Sequence, residues 1–171
     1  MIFVTVGTAE RGIEFERLVR EMDRVAAGLG EDVLIQRGTV PYEPRHARHV
    51  RFVRFDEALH LFREADLIVG HAGAGTVLNA LRLRKPIVIV PRRAAEGELD
   101  SDDHQVQLAR QVEGAPGVRV VWEMDQLEGA VRDLLASRGS VPRPSPERAR
   151  LIGAIREFLS GPTAARPGPG P

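Results

Sequence analysis

This sequence predicts an α/β fold built on a doubly wound parallel sheet, Rossmann-like in character, and three observations carry that prediction. Short β-branched runs alternate along the chain with stretches whose apolar residues recur three and four positions apart. The runs are apolar without alternation, as in Ile87, Val88, Ile89 and Val90, so both faces of such strands must be covered, which is the mark of a parallel sheet with crossover helices. Near the middle of the chain a Gly-rich turn, His71-Ala72-Gly73-Ala74-Gly75-Thr76, joins one such run to one such stretch.

In order along the chain, Ile2, Phe3, Val4, Thr5 and Val6 predict the first strand, and Phe15, Leu18, Val19, Met22 and Val25 place one apolar stripe on a following helix. Val33, Leu34 and Ile35 predict the second strand and residues 50–55 the third, after which Ala58, Leu59 and Phe62 have helical spacing. Leu67, Ile68 and Val69 form the next strand, Val77, Leu78 and Leu81 the helix after the Gly-rich turn, and residues 87–90 the strand after that. Val106, Leu108, Ala109 and Val112 mark a further helix, and residues 118–121 the last strand. A helix over residues 125–136 then closes the sheet, so that residues 1–136 form one unit.

Residues 137–145 contain Pro and Arg and read as a linker. Ser145 before Pro146 is an N-cap and first-turn signal for a helix over residues 146–160 with the stripe Leu151, Ile152, Ile155, Phe158 and Leu159. Because it follows a linker after the sheet is complete, this helix is expected to dock a partner rather than join the core. Residues 161–171, rich in Pro and Gly and without an apolar period, are expected to be disordered.

The 171 residues leave room for one domain with a core, since domains commonly run to about 100 to 200 residues. The 24 basic and 24 acidic side chains cancel, which argues against a nucleic-acid partner and against an electrostatic membrane anchor. The lack of cysteine excludes disulfides, thiolate metal sites and a Cys nucleophile, and fits a reducing compartment. No basic region precedes the first strand, so no signal peptide is expected. The longest apolar runs fall short of the roughly 20 residues that span a bilayer. A cytoplasmic protein that meets a membrane only through a partner or a surface is the expectation.

In an open parallel sheet, ligands collect at the carboxyl ends of strands, where a Gly-rich turn lets backbone N–H groups and a helix N-terminus face an anion. Residues 71–76 offer such a phosphate cradle, although tight strand-to-helix turns also occur as plain architecture. A dinucleotide-binding oxidoreductase fits poorly. The first strand ends in Val6-Gly7-Thr8 rather than a Gly-x-Gly-x-x-Gly turn, and no acid sits at the expected distance on a second strand.

His71-Ala72-Gly73-Ala74-Gly75-Thr76-Val77-Leu78-Asn79-Ala80-Leu81, followed by Lys85-Pro86 and Val90-Pro91, resembles the donor-site signature of family 28 and related GT-B glycosyltransferases. Val4-Thr5-Val6-Gly7-Thr8, Gln36-Arg37-Gly38, Arg92-Arg93 and Asp103-His104-Gln105 narrow the resemblance to small single-domain members. These are the PssE/EpsE-type subunits of exopolysaccharide synthesis and the catalytic subunit of the two-chain GlcNAc transferase of dolichol-linked oligosaccharide synthesis. A complete GT-B enzyme has two Rossmann-like domains, and a chain of this length holds one. The resemblance therefore implies one half of a GT-B fold, the donor-binding half, working at the inner face of the membrane with a separate membrane-associated, acceptor-binding subunit. It implies a nucleotide sugar, UDP-linked, as donor and a lipid-linked sugar as acceptor, with no metal or other cofactor required.

Position by position, the resemblance gives His71 the place of the histidine that faces the donor diphosphate, and with it the catalytic role. Gly73, Ala74, Gly75 and Thr76 supply the backbone and hydroxyl donors around it. Such donors stabilise the departing nucleoside diphosphate, electrostatic work that a metal ion does in other transferases. Gly7 and Thr8 match a loop that closes on the diphosphate or the sugar, Arg54 and Phe55 the segment that packs on the base, and Gln105, with Asp103 and His104 before it, the element that hydrogen-bonds sugar hydroxyls. Where many relatives have Glu gripping both ribose hydroxyls, this sequence has Asn79. An amide can accept from one hydroxyl and donate to another oxygen, but it lacks the charge-assisted bond.

Each of these residues also has a plain structural reading. His71 can cap the following helix, Thr8 can cap a turn, Gln105 can be an ordinary first-turn helix residue, and Phe55, at the end of an apolar strand, reads by itself as core. Arg37, Arg45, His46, Arg48, His49 and Arg51 form a basic loop that reads as solvated surface, or as a face for anionic lipid or a partner. The competing function is a non-catalytic nucleotide-sugar-binding or regulatory module, for which Asn79 is the best argument.

Overall fold

The apolar run at the start of the chain forms β1 (Ile2–Thr5), and all of its residues are buried. That requires strands on both of its edges and helices on both of its faces. The computed structural model, which describes residues 1–7, 14–93, 97, 104–137 and 146–160, supplies both. Among the described residues β1 is joined by β2 (Val33–Gln36), β3 (Arg48–Val50), β4 (Leu67–His71), β5 (Ile87–Val90) and β6 (Val118–Val120) in one sheet of order β3-β2-β1-β4-β5-β6. Every pairing is parallel. The helices are α1 (Glu16–Leu29), α2 (Phe55–Glu64), α3 (Ala74–Arg82), α4 (His104–Val112), α5 (Leu127–Ala136) and α6 (Pro146–Ser160), with a short 3₁₀ turn, Met124–Gln126, leading into α5.

Side chains along a strand alternate between faces, and the core divides accordingly. Ile2, Val4, Leu67, Val69, Val88 and Val90 meet α1 and α5 through Leu18, Met22, Val131 and Leu134. Phe3, Ile68, Ile87 and Ile89 meet α2, α3 and α4 through Phe62, Val77, Leu81 and Leu108 on the other face. Phe3 and Phe62 close that second layer edge-to-face, with ring centroids 5.6 Å apart. From β1 the chain winds outward to β3, then returns to the opposite side of β1 to lay down β4. The carboxyl ends of β1 and β4 therefore diverge into the crevice where open sheets of this kind bind ligands.

Two sequence expectations change. Residues 50–55 do not form a strand: β3 ends at Val50, and Phe55 already belongs to α2. The alternation of Val and Phe with Arg imitates an edge strand, but the helix start wins because Glu57 accepts the Arg54 backbone N–H at 2.8 Å, with acidic Asp56 and Glu57 in the first turn.

The second change concerns α6, which is not an unattached docking element. It lies against α3 and α4. Its Ile155 is fully buried in the cluster that holds Val77, Ala80 and Leu108, with Leu151 and Ile152 packed on the same cluster. The outer apolar face of α3 and α4 needs a cover, and a helix on the same chain provides one without the entropy loss of association. The side chains of Phe158 and Leu159, most of the expected linker and the expected disordered tail lie outside the described residues.

The basic loop is likewise less uniform than its sequence. Arg37 is buried and donates to the Val40 carbonyl and, at 2.9 Å, to Glu43, while Arg48 pairs with Asp32 at 2.6 Å. Its approach to β3 is anchored from α1 by the buried Asp23, which accepts hydrogen bonds from the Tyr42 hydroxyl at 2.7 Å and from the backbone N–H groups of Arg45, His46 and Ala47 at 2.9, 2.7 and 3.0 Å. Burial alone would raise this carboxyl's pKa, but the four donors outweigh it and hold it below the ordinary aspartate value.

Asp23→Asn replaces acceptors facing Tyr42 and Arg45 with donors, and is expected to lower stability by about 2 to 4 kcal/mol in chemical denaturation. Because the folded pKa lies below the unfolded one, the Asp23 contribution is complete above the unfolded value and disappears as pH falls through the folded one. Acid unfolding should therefore be less steep in Asp23→Asn. Ile155→Ala should cost about 2 to 5 kcal/mol, as expected for a buried core position. Denaturation indistinguishable from the parent would place α6 outside the core.

Candidate functional site

The register Thr5↔Gly70 sets the end of β1 beside His71, the last residue of β4. Two glycines make room for its ring. Gly7 turns the chain with φ +75°, and a Cβ built there would stand 2.6 Å from Cε1 and 2.7 Å from Nε2 of His71. A Cβ on Gly73 would stand 2.2 Å from Nε2. The first conformation favours glycine and both contacts exclude any larger residue, so these glycines fix the imidazole between them.

The Gly7 turn is closed by a buried polar latch. The Thr5 hydroxyl donates to Oε1 of Gln36 at 2.6 Å, the Gly7 N–H donates to the Thr5 Oγ1 at 3.1 Å, and Nε2 of Gln36 donates to the Gly7 carbonyl at 3.3 Å. Thr5 and Gln36 were given no site role by the sequence. Their signal was available: a threonine and a glutamine inside runs that are otherwise apolar have to satisfy each other when buried.

Burial pushes the His71 pKa down to about 4, helped by the nearby charge of Arg92, while the Thr5 backbone works in the opposite direction. Among the described residues its buried Nδ1 has no hydrogen-bond partner. The ring is thus neutral near pH 7 and acts as a hydrogen-bonding group rather than as a counter-ion. Immediately after it, Gly73 caps α3 in an extended conformation, and no acid occupies the first turn. The open N–H groups of Ala74, Gly75 and Thr76 and the positive end of the helix are available to an anion.

A cleft of about 380 Å³ opens over this point. Thr5, Gly7, Gln36, His71, Gly75, Thr76 and Asn79 supply one wall, and Val53, Phe55, Ala58, Leu59 and Phe62 the other. Thr76 and Asn79, three residues apart on α3, share a helix face. Phe55 is no core residue: at the first turn of α2 it is 75% exposed. Arg54 precedes it as N-cap, exposed and paired with Asp56.

The structure does not bring every expected residue to the cleft. His104 is exposed at the start of α4, and Gln105 uses its Oε1 to accept the Arg92 backbone N–H at 3.2 Å without lining the cleft. Ala74 packs toward the α3 core, while Thr8 and Asp103 lie outside the described residues. Among the described residues no group of three or more His, Asp or Glu is placed to hold a metal ion, and no helix is long and apolar enough to cross a membrane.

Over residues 1–150 the sequence matches the glycosyltransferase family 28 C-terminal domain. It is 30% identical over 155 residues to a UDP-N-acetylglucosamine--N-acetylmuramyl-(pentapeptide) pyrophosphoryl-undecaprenol N-acetylglucosamine transferase of Chlorobium luteolum, covering 87% of this chain and 40% of the relative. It is 32% identical over 117 residues to the UDP-N-acetylglucosamine transferase subunit ALG13 of Mus musculus, covering 64% of this chain and 10% of the relative. Among solved structures, MurG of Acinetobacter baumannii superposes with a TM-score of 0.54 at 16% identity over 90% of this chain and 49% of that one. Spinosyn rhamnosyltransferase SpnG complexed with spinosyn aglycone does so with a TM-score of 0.62 at 16% identity, over 91% and 41%. The structural likeness is one of fold, that of GT-B glycosyltransferases, and the chain spans less than half the length of each of these relatives.

The depressed His71 pKa carries a pH signature. Between the ordinary value near 6.5 and the folded value of about 4 the unfolded chain binds the extra proton, so stability falls as pH drops through that window, by about 3 kcal/mol when complete. Urea melts at pH 7, 5.5 and 4 should show this loss in the parent chain and lack it in His71→Asn. Gly73→Ala should expel the ring from its slot, moving its NMR titration midpoint up toward 6.5. A midpoint still near 4 in that variant would contradict the packing described.

Proposed function

The chain belongs to the glycosyltransferase family 28 C-terminal domain family, and from that membership we propose that it binds the donor in a sugar transfer, holding a nucleotide sugar in the cleft between α2 and α3. The observation that carries this reading is the pairing of a polar side, ending in the α3 N-terminus, with an apolar side in one cleft at the carboxyl ends of the central strands. A nucleotide sugar has the same division, with an anionic diphosphate between a flat base and a polyhydroxylated sugar.

In the proposed reaction an acceptor hydroxyl attacks the anomeric carbon and gives up its proton to a base of the acceptor-binding partner, the bond from that carbon to the diphosphate oxygen breaks, and the nucleoside diphosphate leaves with the electron pair. The first-turn N–H groups of α3, the Thr76 hydroxyl and a neutral His71 stabilise the charge that develops on the leaving oxygen, the role of an oxyanion hole. That arrangement needs no metal ion. Val53 and Phe55 offer the base an apolar surface, and Asn79, one turn along α3 from Thr76, is the ribose contact.

A UDP-linked donor and a lipid-linked acceptor are supported by the Chlorobium relative, a UDP-N-acetylglucosamine transferase acting on a pyrophosphoryl-undecaprenol, and a two-chain assembly by the mouse relative, a transferase subunit. We place the chain in the cytoplasm, recruited to the inner face of the membrane by an acceptor-binding, membrane-associated partner subunit, in polysaccharide synthesis.

Calorimetry on the chain alone should show UDP and UDP-sugars binding in preference to NAD; equal affinity for both, or none for either, would sink the reading. Thr76→Val should weaken UDP by about 1 to 3 kcal/mol through loss of a hydrogen bond to a charged group. Asn79→Glu should match or improve on the parent's affinity and Asn79→Leu should fall below it, whereas three identical values would remove Asn79 from the ribose. Transfer of sugar to lipid-linked acceptor should appear only on co-expression with the partner.

A further inference from the structure

The turn that presses on His71 is itself held from behind by a side chain outside the cleft. Arg92 lies two residues beyond the end of β5, continuing the strand face of Val88 and Val90, and the register His71↔Val90 brings it alongside the imidazole. It is 4% exposed. Nη2 donates to the Val6 carbonyl at 2.6 Å, the guanidinium carbon stands 5.3 Å from the centroid of the Phe15 ring, and the backbone N–H of Arg92 is held by Gln105. Three parts of the chain thus meet on one residue: the end of β1, the approach to α1, and the first turn of α4.

Val6 is the residue before Gly7. Its N–H still pairs with the Gln36 carbonyl at 3.3 Å, but beyond it the chain leaves the sheet through the left-handed Gly7, and a buried carbonyl there needs a donor. We propose that Arg92 is a positioning residue for His71: by gripping the Val6 carbonyl it clamps the Gly7 turn over the imidazole and so fixes the orientation in which that ring meets the donor diphosphate. The proposal rests on the donor-binding reading for its consequence and on the contacts above for its geometry.

The residue type suits the task. A planar guanidinium can lie over a ring while one edge N–H bonds in its own plane, which an ammonium cannot do. The Phe15 ring is shared with a second guanidinium, that of Arg17, at 5.1 Å, and Arg17 donates to the carbonyl of Pro91 at 2.9 Å. The stretch carrying Arg92 is therefore tied down on both sides. Among the described residues the charged groups around it are Arg17, Glu14 and Arg37. Among the described residues no cleft-lining side chain other than His71 ionises, and the positive charge acting on the imidazole is that of Arg92.

The test uses the full chain with isotope-labelled histidine, following the His71 resonances by NMR from pH 8 to 3.5 and UDP affinity by calorimetry at pH 7.5, for the parent, Arg92→Met and Arg92→Lys. In folded Arg92→Met the His71 midpoint should rise by about one unit or more and UDP should bind about ten-fold more weakly, with Arg92→Lys recovering most of the midpoint through its retained charge and only part of the affinity. A folded Arg92→Met with the parent's midpoint and affinity would overturn the proposal. If Arg92→Met does not fold, Arg92→Lys decides: displaced His71 resonances support the clamp, and resonances coincident with the parent's refute it. Should the parent fail to bind UDP while the His71 midpoint still moves in Arg92→Met, the donor-binding reading falls and the positioning role stands.

Discussion

The parallel pairing of β1 with β4 is the constraint on which the rest of the molecule depends. Both strands lie at the centre of the sheet, and the chain leaves them in opposite directions, toward β3 on one side and β6 on the other. Their carboxyl ends have no crossover connection between them, so a gap is built into the topology rather than carved by particular side chains. Among the described residues, the His71 imidazole and the backbone of the Gly7 turn meet in that gap. The fit is tight enough that residues 7 and 73 have no space for a Cβ. The same closeness removes water from the ring and sets its charge state, so packing and electrostatics at this point are a single effect.

Helix α3 links the cleft to the core. Gly75, Thr76 and Asn79 face the cleft, while Val77, Ala80 and Leu81 are buried in the layer shared with α2 and α4. With only 9 residues, α3 gains little stability from its own hydrogen bonds and depends on packing to persist. Part of that packing comes from α6, through Ile155. A helix at the far end of the described chain therefore supports the geometry of the N-H groups at the head of α3 without approaching the cleft itself.

The likeness of fold to GT-B enzymes at 16% identity has a physical basis of the same kind. Strand order and layer packing respond to where apolar residues fall, and many apolar residues of similar volume satisfy a buried position. The contacts at the switch point tolerate far less exchange. Thr5, Gly7, Gln36 and Arg92 meet through short directional bonds and excluded volume, and an exchange at any of them shifts the imidazole.

Much of the fold was legible in the sequence, and the reason is periodicity. Central strands that are apolar at every position, and helices with one stripe, report their own burial, so β1, β4, β5 and helices α1 to α5 stand where the pattern put them. The Gly-rich turn after His71 was legible too, although by itself it is also plain strand-to-helix architecture and only the residues flanking it narrow its reading. Residues 50–55 misled because Val and Phe alternating with Arg have the period of an edge strand, whereas a capping interaction from Glu57, invisible to periodicity, starts a helix at Phe55. The stripe on α6 showed that it must be covered but not by what, since burial against α3 and burial against a partner leave the same pattern in one dimension. The latch of Thr5 and Gln36, the slot between Gly7 and Gly73 and the grip of Arg92 on Val6 join residues up to 86 positions apart. Local sequence determines which segments become strands and helices; which side chains then meet at a strand end is decided only when the sheet brings them together.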